Sequence, residues 1–271
     1  MIELQNVSYQ YHKLKEEAVQ EIQLTIPEGK VISIIGKNGS GKSTMAKLIG
    51  GITKPTKGKV LVDKLDTSIK DNFLAIRKKI GMVFQNPENQ IIFPKVYDDM
   101  TFILNNLGLK NEKERIENAL KKVGMQGENQ SDTYELSLGQ KQRIAIATML
   151  AVEPKYLVLD EPTAMIDPNG KEKIYQIIRE LKKQGYTIIY VTNQIDEILL
   201  SDIVVLMEKG RIKEQFEKQA ILEHIESLRQ SDIKIPEIID MIIKLKQDKI
   251  VEELNEWTIE EIMDQLITKL C

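Results

Sequence analysis

Residues 31–44 read VISIIGKNGSGKST, and this stretch decides the fold. Its first five residues form a short apolar run, which predicts a strand buried on both faces. From Gly36 onward the stretch matches the pattern G-x-x-x-x-G-K-[ST] at every required position. A strand, a glycine-rich turn and a helix start point backbone N–H groups at one spot, where the helix dipole adds partial positive charge. The stretch therefore predicts a phosphate-binding loop.

The positions of this loop have separate predicted roles. Glycines allow the backbone to approach a ligand closely and to adopt unusual dihedral angles. Lys42 is expected to bridge the β- and γ-phosphates of a nucleotide, and the Ser43 hydroxyl is expected to bind Mg²⁺. ATP and Mg²⁺ are therefore the predicted cofactors. The predicted phosphate-binding residues are Gly36, Asn38, Gly39, Ser40, Gly41, Lys42, Ser43 and Thr44.

Two adjacent carboxylates follow a second buried strand. The apolar run at 156–159 leads directly into Asp160 and Glu161. Carboxylates at a buried strand end usually have a function. We expect Asp160 to hold the hydration shell of Mg²⁺ and Glu161 to polarise an attacking water as a general base. A simple helix-capping role is the alternative, because Pro162 follows.

Length, charge and cysteine content limit the class of protein. The 271 residues allow one large domain, or one domain with an appendage, and the net charge of −3 gives no general attraction to nucleic acid. Cys271 is the only cysteine, so an intrachain disulfide is impossible and a reducing compartment is indicated. We find no signal peptide and no run of ~18 apolar residues, and so predict a cytosolic protein, with docking on a membrane through a partner left open.

The order of predicted elements favours a mainly parallel sheet. A predominantly helical insert at 96–151, with a helix at 111–123, interrupts the β–α–β order. An acidic, helical tail begins near residue 216, where composition changes, and Thr258–Glu261 fits a capping box ahead of an apolar stripe. The predicted strands are 2–9, 18–26, 31–35, 58–62, 80–84, 156–159, 186–191 and 203–207, and the main helices lie at 41–51, 69–78 and 169–183.

Four more segments complete a resemblance to the ATP-binding-cassette (ABC) ATPases over roughly residues 1–215. They are Tyr11, Gln85, Leu136–Gln140 and Ala164–Asp167. The resemblance implies an α/β fold of the P-loop NTPase class, with a mainly parallel core sheet and N-terminal antiparallel strands. It also implies a helical subdomain at about 90–151, to which a small helical C-terminal extension at 216–271 is added.

The resemblance assigns roles to these segments. Tyr11 would stack on adenine, although a strand-packing tyrosine is the alternative. Gln85 would touch Mg²⁺ and signal to a membrane partner, although a surface-loop glutamine is the alternative. In the signature segment 136–140, Ser137, Gly139 and Gln140 would bind the γ-phosphate held by an opposite subunit. Asp167 would cross the dimer interface.

Within this family, residues 83–90 and 96–99 resemble the ATPase subunits of energy-coupling-factor transporters, which import vitamins and transition-metal ions. This implies a second ATPase subunit, a membrane scaffold subunit and a small substrate-capturing membrane subunit, with the ATPases at the cytoplasmic face. The acidic pair Asp98–Asp99 is either a solvated helix N-terminus or a contact for basic residues of the scaffold. A conventional importer ATPase for metals is the close alternative.

Two positions depart from the family pattern. Leu138 occupies a position that is normally glycine, and Asn193 follows strand 186–191 where the family has a histidine that contacts the γ-phosphate. Asparagine donates a neutral hydrogen bond and is shorter. We hypothesise that Asn193 takes the catalytic position of the histidine, and that the natural partner is a paralogue with the usual residues.

Two rival functions follow from the same residues. One is a regulatory or structural subunit that binds ATP without hydrolysing it, which Asn193 would suit. The other is an ATPase of the same fold acting on nucleic acid. That rival predicts a long coiled-coil insert or a second cassette, and neither is evident in the sequence, nor is a basic stripe.

Overall fold

The structure is a computed structural model that describes residues 1–12, 16–235 and 237–248. The predicted capping box at Thr258 and the apolar stripe behind it lie outside these residues. The strands are β1 Ile2–Tyr9, β2 Val19–Ile26, β3 Val31–Ile35, β4 Lys57–Val62, β5 Leu65–Asp66, β6 Ile80–Val83, β7 Tyr156–Asp160, β8 Thr187–Thr192, β9 Ile203–Glu208 and β10 Arg211–Glu217. The helices are α1 Lys42–Ile49, α2 Phe73–Lys79, α3 Val96–Asn106, α4 Glu112–Lys122, α5 Leu138–Ala151, α6 Pro168–Lys183, α7 Ile195–Ile198, α8 Ile225–Gln230 and α9 Glu237–Gln247.

The N-terminal strands form an antiparallel sheet in the order β2-β1-β4-β5. In β2 the apolar residues Ile22, Leu24 and Ile26 are buried, and the polar residues between them are exposed. This alternation confirms the predicted half-buried strands, since successive side chains of a strand point to opposite faces.

The second sheet has the order β10-β9-β3-β8-β7-β6, and its strands are parallel except for β10. Every residue of β3, β6, β7 and β8 is buried, as the continuous apolar runs at 31–35 and 156–159 predict for β3 and β7. Because these four strands are neighbours and parallel, their carboxyl ends meet at one edge of the sheet. The segments after β3, β6, β7 and β8 therefore converge there.

The predicted helical insert is confirmed. Helices α3, α4 and α5 pack around one apolar cluster, to which α4 contributes Ile116, Ala119 and Leu120. These positions repeat at helical spacing, so one stripe of α4 faces the cluster and its charged residues face outward.

The sequence analysis did not predict β10. The helical tail of the chain begins after this strand. β10 pairs with β9 through Glu217, with Phe216 opposite Val204. Only Ile212 and Phe216 are apolar among its seven residues, which is too weak an alternation to identify an edge strand. The helices that follow share an apolar cluster with the sheet, which includes Ile35, Leu206, Phe216, Ile225, Leu228 and Ile242. The division of the chain at residue 216 stays a prediction.

Candidate nucleotide-binding site

The loop between β3 and α1 needs glycine at two positions for steric reasons. A Cβ atom at Gly36 would lie 2.4 Å from the carbonyl oxygen of Met207, and one at Gly41 would lie 2.4 Å from that of Ala18. Gly41 also has a φ of +101°, in the left-handed region. The loop can therefore pass this close to the neighbouring backbone only without side chains at these positions.

Lys42 is held inside the loop. Its side chain is 4% exposed, and its Nζ donates to the carbonyl oxygens of Gly36 at 2.7 Å and Lys37 at 3.1 Å. Nζ also lies 3.9 Å from Oε1 of Glu161. Burial lowers the pKa of Lys42, and the charges of Glu161 and Asp160 oppose that shift. These contacts fix an ammonium group at the carboxyl edge of the sheet.

Ser43 and Asp160 meet across the base of the loop. The Ser43 hydroxyl donates to Oδ1 of Asp160 at 2.9 Å, although β3 and β7 are separated in the sheet by β8. Burial raises the pKa of Asp160, and the Ser43 hydrogen bond and nearby lysines oppose that shift.

Hydroxyl and carboxylate oxygens suit Mg²⁺, which proteins usually hold by one or two such groups together with substrate phosphates. The Ser43–Asp160 pair therefore fits a magnesium ion that arrives with a nucleotide.

Glu161 leaves the sheet in a constrained conformation. Its φ of +47° lies in the left-handed region, and its N–H donates to the carbonyl oxygen of Val191 at 2.9 Å. Non-glycine residues rarely adopt this region unless the surroundings hold them there. The side-chain amide of Gln85 donates to Oε2 of Glu161 at 3.0 Å. The loops after β6 and β7 are thus joined at the predicted catalytic carboxylate.

Compared with water, the environment of Glu161 favours the protonated form of its carboxyl group. Burial raises its pKa, Lys42 lowers it, and the negative charges of Asp160 and Glu197 raise it further. A carboxylate with a raised pKa is better matched to proton transfer near neutral pH.

Asn193 follows β8 and reaches the phosphate loop. Its Nδ2 donates to Oδ1 of Asn38 at 3.4 Å. Both residues line a cavity of about 720 Å³, which Asp232 and Ile233 of the C-terminal segment also line. The structure thus brings Asn193 to the phosphate-loop edge, as the sequence predicts.

Tyr11 lies at the rim of a second cavity, of about 460 Å³, which the phosphate loop also lines together with Gln85 and Glu161. Its hydroxyl is 3.0 Å from Oγ1 of Thr44, and its ring packs edge-to-face on Tyr9 with centroids 4.8 Å apart. Both predicted roles of Tyr11, adenine stacking and strand packing, agree with this position.

The signature segment starts helix α5 with a capping box. The Ser137 hydroxyl accepts from the backbone N–H of Gln140 at 3.3 Å, and the Gln140 side chain accepts from the backbone N–H of Ser137 at 3.0 Å. Leu138 is 37% exposed, and Gly139 is buried, where a Cβ atom would lie 3.3 Å from Cγ2 of Ile166. Among the described residues, those that line the 460 Å³ cavity include none from this segment.

Asp167 also caps a helix from an exposed position. Its carboxylate accepts from the backbone N–H of Gly170 at 3.2 Å at the start of α6, and Ala164 and Met165 before it are exposed. Ser137 and Leu138 of the signature segment, and Ala164, Met165 and Asp167 of this loop, are therefore exposed, and they lie outside the cavity that Lys42 and Glu161 line.

The structure corrects the prediction for Asp99. Its side chain is 5% exposed and accepts from the backbone N–H groups of Ile92 at 2.8 Å and Phe93 at 3.1 Å. Burial raises its pKa, and these two hydrogen bonds oppose the shift. Both interpretations, a solvated helix end and a scaffold contact, are wrong for Asp99, because the carboxylate is used to fix the loop before α3. Asp98 is exposed, and its role stays a prediction.

The sequence analysis missed Glu197. This residue lies in α7 and is 1% exposed behind the site, where Thr163 and Thr192 donate hydrogen bonds to its carboxylate. The only sequence signal is an acidic residue between the apolar residues Ile195 and Ile198. That signal does not distinguish a buried carboxylate from the polar face of a short helix.

Sequence comparison identifies the family. The ABC transporter family profile matches residues 19–164. The energy-coupling factor transporter ATP-binding protein EcfA1 of Clostridium perfringens is 37% identical over 281 residues, covering 100% of this chain and 98% of the relative. The EcfA1 protein of Oenococcus oeni is 39% identical over 239 residues, covering 87% of this chain and 86% of the relative.

Solved structures agree with the sequence comparison. The cbiO1 protein from Clostridium perfringens, part of the ABC transporter complex cbiONQ, has a TM-score of 0.75 and 35% identity, covering 89% of this chain and 98% of that one. A dimeric ATP-binding cassette in a post-hydrolysis state, bound to ADP and Pi, has a TM-score of 0.73 and 31% identity, covering 80% and 98%. In the described part of the chain, no helix has the length and apolar character that crossing a bilayer requires. The chain is an ATPase of the ABC transporter family and belongs with the ATP-binding subunits of energy-coupling factor transporters.

Proposed function

We propose that this chain binds and hydrolyses ATP to energise an energy-coupling-factor importer of vitamins or transition-metal ions, at the cytoplasmic face of the membrane. One observation carries the proposal. The carboxyl edge of the parallel sheet gathers Lys42, the Ser43–Asp160 pair and Glu161, while the signature segment 136–140 lies outside their cavity. One chain therefore offers two separate half-sites.

The residues at the sheet edge have separate roles in binding and hydrolysing ATP. Lys42 and the N–H groups of the phosphate loop hold the β- and γ-phosphates. Ser43, Asp160 and Gln85 would hold Mg²⁺, which would offset the charge of the transferring phosphoryl group. Glu161 orients the attacking water in line and takes its proton, and its raised pKa supports this role. Tyr11 supports the adenine ring.

The second half-site acts on the nucleotide of a partner subunit. Ser137, Gly139 and Gln140 lie at the N-terminus of the 14-residue helix α5, where backbone N–H groups and the helix dipole favour an anion. Exposure of Ser137 and Leu138 supports contact with the γ-phosphate held by the opposite subunit. Exposure of the loop 164–167 supports an interface role for Asp167.

The loop after β6 supports coupling between hydrolysis and a membrane scaffold. The side-chain amide of Gln85 donates a hydrogen bond to Glu161, so the position of this loop is coupled to that of the proposed catalytic carboxylate. The same loop is tied to helix α5, because Gln142 donates to the carbonyl oxygen of Phe84 at 3.1 Å and Lys141 pairs with Glu88 at 2.6 Å. A change at Glu161 can therefore move the helical subdomain that carries the signature segment.

The names of the relatives support the proposed partners. These are a second ATPase subunit, which we propose is a paralogue with the usual histidine and signature glycine, a membrane scaffold subunit and a small capture subunit. The Clostridium perfringens structure is described as part of a multi-subunit transporter complex. The acidic balance of the chain, with a net charge of −3, gives no support for a nucleic-acid partner.

A subunit that binds ATP without hydrolysing it is the second candidate, and Asn193 favours it. Its side chain is a neutral amide, which donates a hydrogen bond to Oδ1 of Asn38. A missing transition-state donor typically costs ~100–1000-fold in rate. Glu161→Gln separates the candidates, because turnover of the assembled dimer falls only if this chain's own site is catalytic.

The proposal is tested by purification from membranes and by the concentration dependence of turnover. We expect the chain to co-purify with a second ATPase and two membrane subunits. The specific ATPase rate of the purified ATPase pair should fall on dilution, because each site needs residues from both subunits. Lys42→Ala is the control for loss of nucleotide binding. Single chains that are kept apart by dilution and still hydrolyse ATP at the full rate would exclude the shared site.

A further inference from the structure

A buried carboxylate joins three segments of the site. Oε1 of Glu197 accepts hydrogen bonds from the hydroxyls of Thr163 and Tyr175, the latter at 3.1 Å, and Oε2 accepts one from Thr192. Glu197 is 1% exposed, and in the described part of the chain no lysine or arginine forms an ion pair with it. Three hydroxyl donors therefore take the place of a cation.

Each donor belongs to a segment that carries a predicted site residue. Thr163 lies two positions after Glu161, and Thr192 lies immediately before Asn193. Tyr175 lies in α6, which Asp167 caps. The Thr192 hydroxyl also accepts from the backbone N–H of Gln194 at 2.9 Å, which fixes the turn after β8. One carboxylate thus contacts the catalytic loop, the Asn193 loop and the helix behind the interface loop.

These hydrogen bonds fix the relative positions of the three segments more than they add to the folding stability of the protein. A buried carboxylate is unfavourable unless hydrogen bonds compensate its lost hydration, and a well-packed apolar group is often as stable at such a position. Hydrogen bonds to a charged acceptor are short and directional. Glu197 therefore sets the distances between its donors closely, since moving any one of them leaves a buried charge less compensated.

We propose that Glu197 is a positioning residue for hydrolysis, which holds the Glu161 loop and the Asn193 loop at the separation that ATP cleavage needs. The inference rests on the proposed roles of Glu161 and Asn193. A displacement of about 1 Å at reacting groups can reduce a rate by ~100-fold. The contribution of Glu197 should therefore appear in kcat, because the groups that bind ATP do not contact it.

The experiment compares variants of this chain purified with its partner ATPase. Glu197→Gln keeps the side-chain shape but removes one acceptor oxygen and the charge. Thr163→Val and Thr192→Val each leave the carboxylate with two donors, and Thr192→Val also removes the acceptor of the Gln194 N–H. Thr148→Val is the matched control, because its buried hydroxyl donates to the Ile144 carbonyl of its own helix, at 2.9 Å. The readouts are kcat, KM for ATP and the melting temperature.

We expect Glu197→Gln to lower kcat by about tenfold or more, with KM changed less than about twofold. Thr163→Val and Thr192→Val should each lower kcat, whereas Thr148→Val should lower only the melting temperature. The Thr192→Val effect should largely disappear in an Asn193→Ala background, because both changes act on one group. A role in folding alone would give additive effects.

Three results would overturn the inference. They are an unchanged kcat in Glu197→Gln, a kcat that follows the melting temperature across all four variants including Thr148→Val, and full additivity of Thr192→Val with Asn193→Ala. If Glu197→Gln does not fold, the kcat values of Thr163→Val and Thr192→Val decide whether the inference holds. Glu161→Gln separates this failure from that of the proposed function, since unaffected turnover in that variant would remove the function itself.

Discussion

The side-chain amide of Asn193 donates to Oδ1 of Asn38 at 3.4 Å, although the two residues are 155 positions apart in the chain. The contact brings the end of β8 to the phosphate loop, which places a neutral donor beside the loop. An uncharged amide gives a transition state less stabilisation than a charged donor would, because hydrogen bonds to ionised groups are roughly twice as strong.

Asn193→His should raise ATP hydrolysis at this chain's own phosphate loop, by up to ~100-fold if the full donor is restored. The measurement is turnover of the ATPase pair, with the corresponding lysine of the partner's phosphate loop changed to alanine so that only this site hydrolyses. Asn193→Ala is the matched control and should lower turnover. Equal rates for all three proteins would show that Asn193 has no part in the reaction.

Leu138→Gly should raise hydrolysis at the partner's phosphate loop. The leucine is 37% exposed at the first position of α5. In the proposed dimer this surface faces the partner's nucleotide, and a branched side chain would crowd it. Turnover is measured with Lys42→Ala in the same chain, which silences the other site. Glycine in a helix lowers stability by up to ~1 kcal/mol, so Leu138→Ala is included to separate crowding from helix stability. A fall in turnover for both variants would contradict the crowding argument.

Glu161→Gln should lower turnover by ~100–1000-fold and raise the melting temperature of the nucleotide-free chain. Burial raises the pKa of Glu161, so the folded state binds more protons than the unfolded state between the two pKa values. Stability from this group is therefore lost as pH rises through that window. Glutamine does not titrate, so the gain in melting temperature should be larger at pH 7 than at pH 5.

Thermal unfolding of both proteins at the two pH values, without nucleotide or Mg²⁺, checks this prediction. Glu172→Gln serves as control, because Glu172 is exposed and pairs with Arg179 on the surface. A stabilisation that is larger at pH 5 would reverse the sign and exclude burial as the dominant cause of the pKa shift.

Asp99→Ala should destabilise the protein by ~1–3 kcal/mol, because the N–H groups of Ile92 and Phe93 lose their acceptor. Asp98→Ala, on the neighbouring exposed residue, should change stability by less than ~0.5 kcal/mol. Denaturant unfolding of both variants measures the difference. Similar losses for the two would mean that the charge of the helix start, and not the loop contact, determines stability.

Local sequence was sufficient wherever a short run specifies its own structure. The strand 31–35, the glycine loop and helix α1 follow directly from an apolar run, glycines and a lysine, and the buried strand β7 follows from its apolar run. β6 and β8 were predicted only as strands, and the structure shows that they are also buried. The phosphate-loop residues, Asp160 and Glu161 were proposed from such local patterns, because they follow the predicted buried strands 31–35 and 156–159. The roles of Tyr11, Gln85, Ser137, Gly139, Gln140, Asp167 and Asn193 came instead from the resemblance to the ABC ATPases. β10 was missed because an edge strand needs one buried face only, and Phe216 alone is buried in it.

Contacts between distant segments could not be read from local patterns. Asp98 and Asp99 are the same residue type at adjacent positions, yet one is exposed and the other is buried under the loop 91–93, because a helix turns by about 100° per residue. Glu197 is a second residue whose contacts local sequence does not reveal. Nothing in the residues around it indicates that hydroxyls from positions 163, 175 and 192 converge on its carboxylate.

The sequence by itself determined the phosphate loop, the carboxylates after β7, the parallel sheet and the family, because each depends on a run of neighbouring residues with a fixed local geometry. Only the tertiary structure decided which side chains meet: Ser43 with Asp160, Gln85 with Glu161, and Glu197 with its three donors. The physical reason is that parallel strands bring the ends of distant segments to one edge, and strand order is set by packing of the whole sheet.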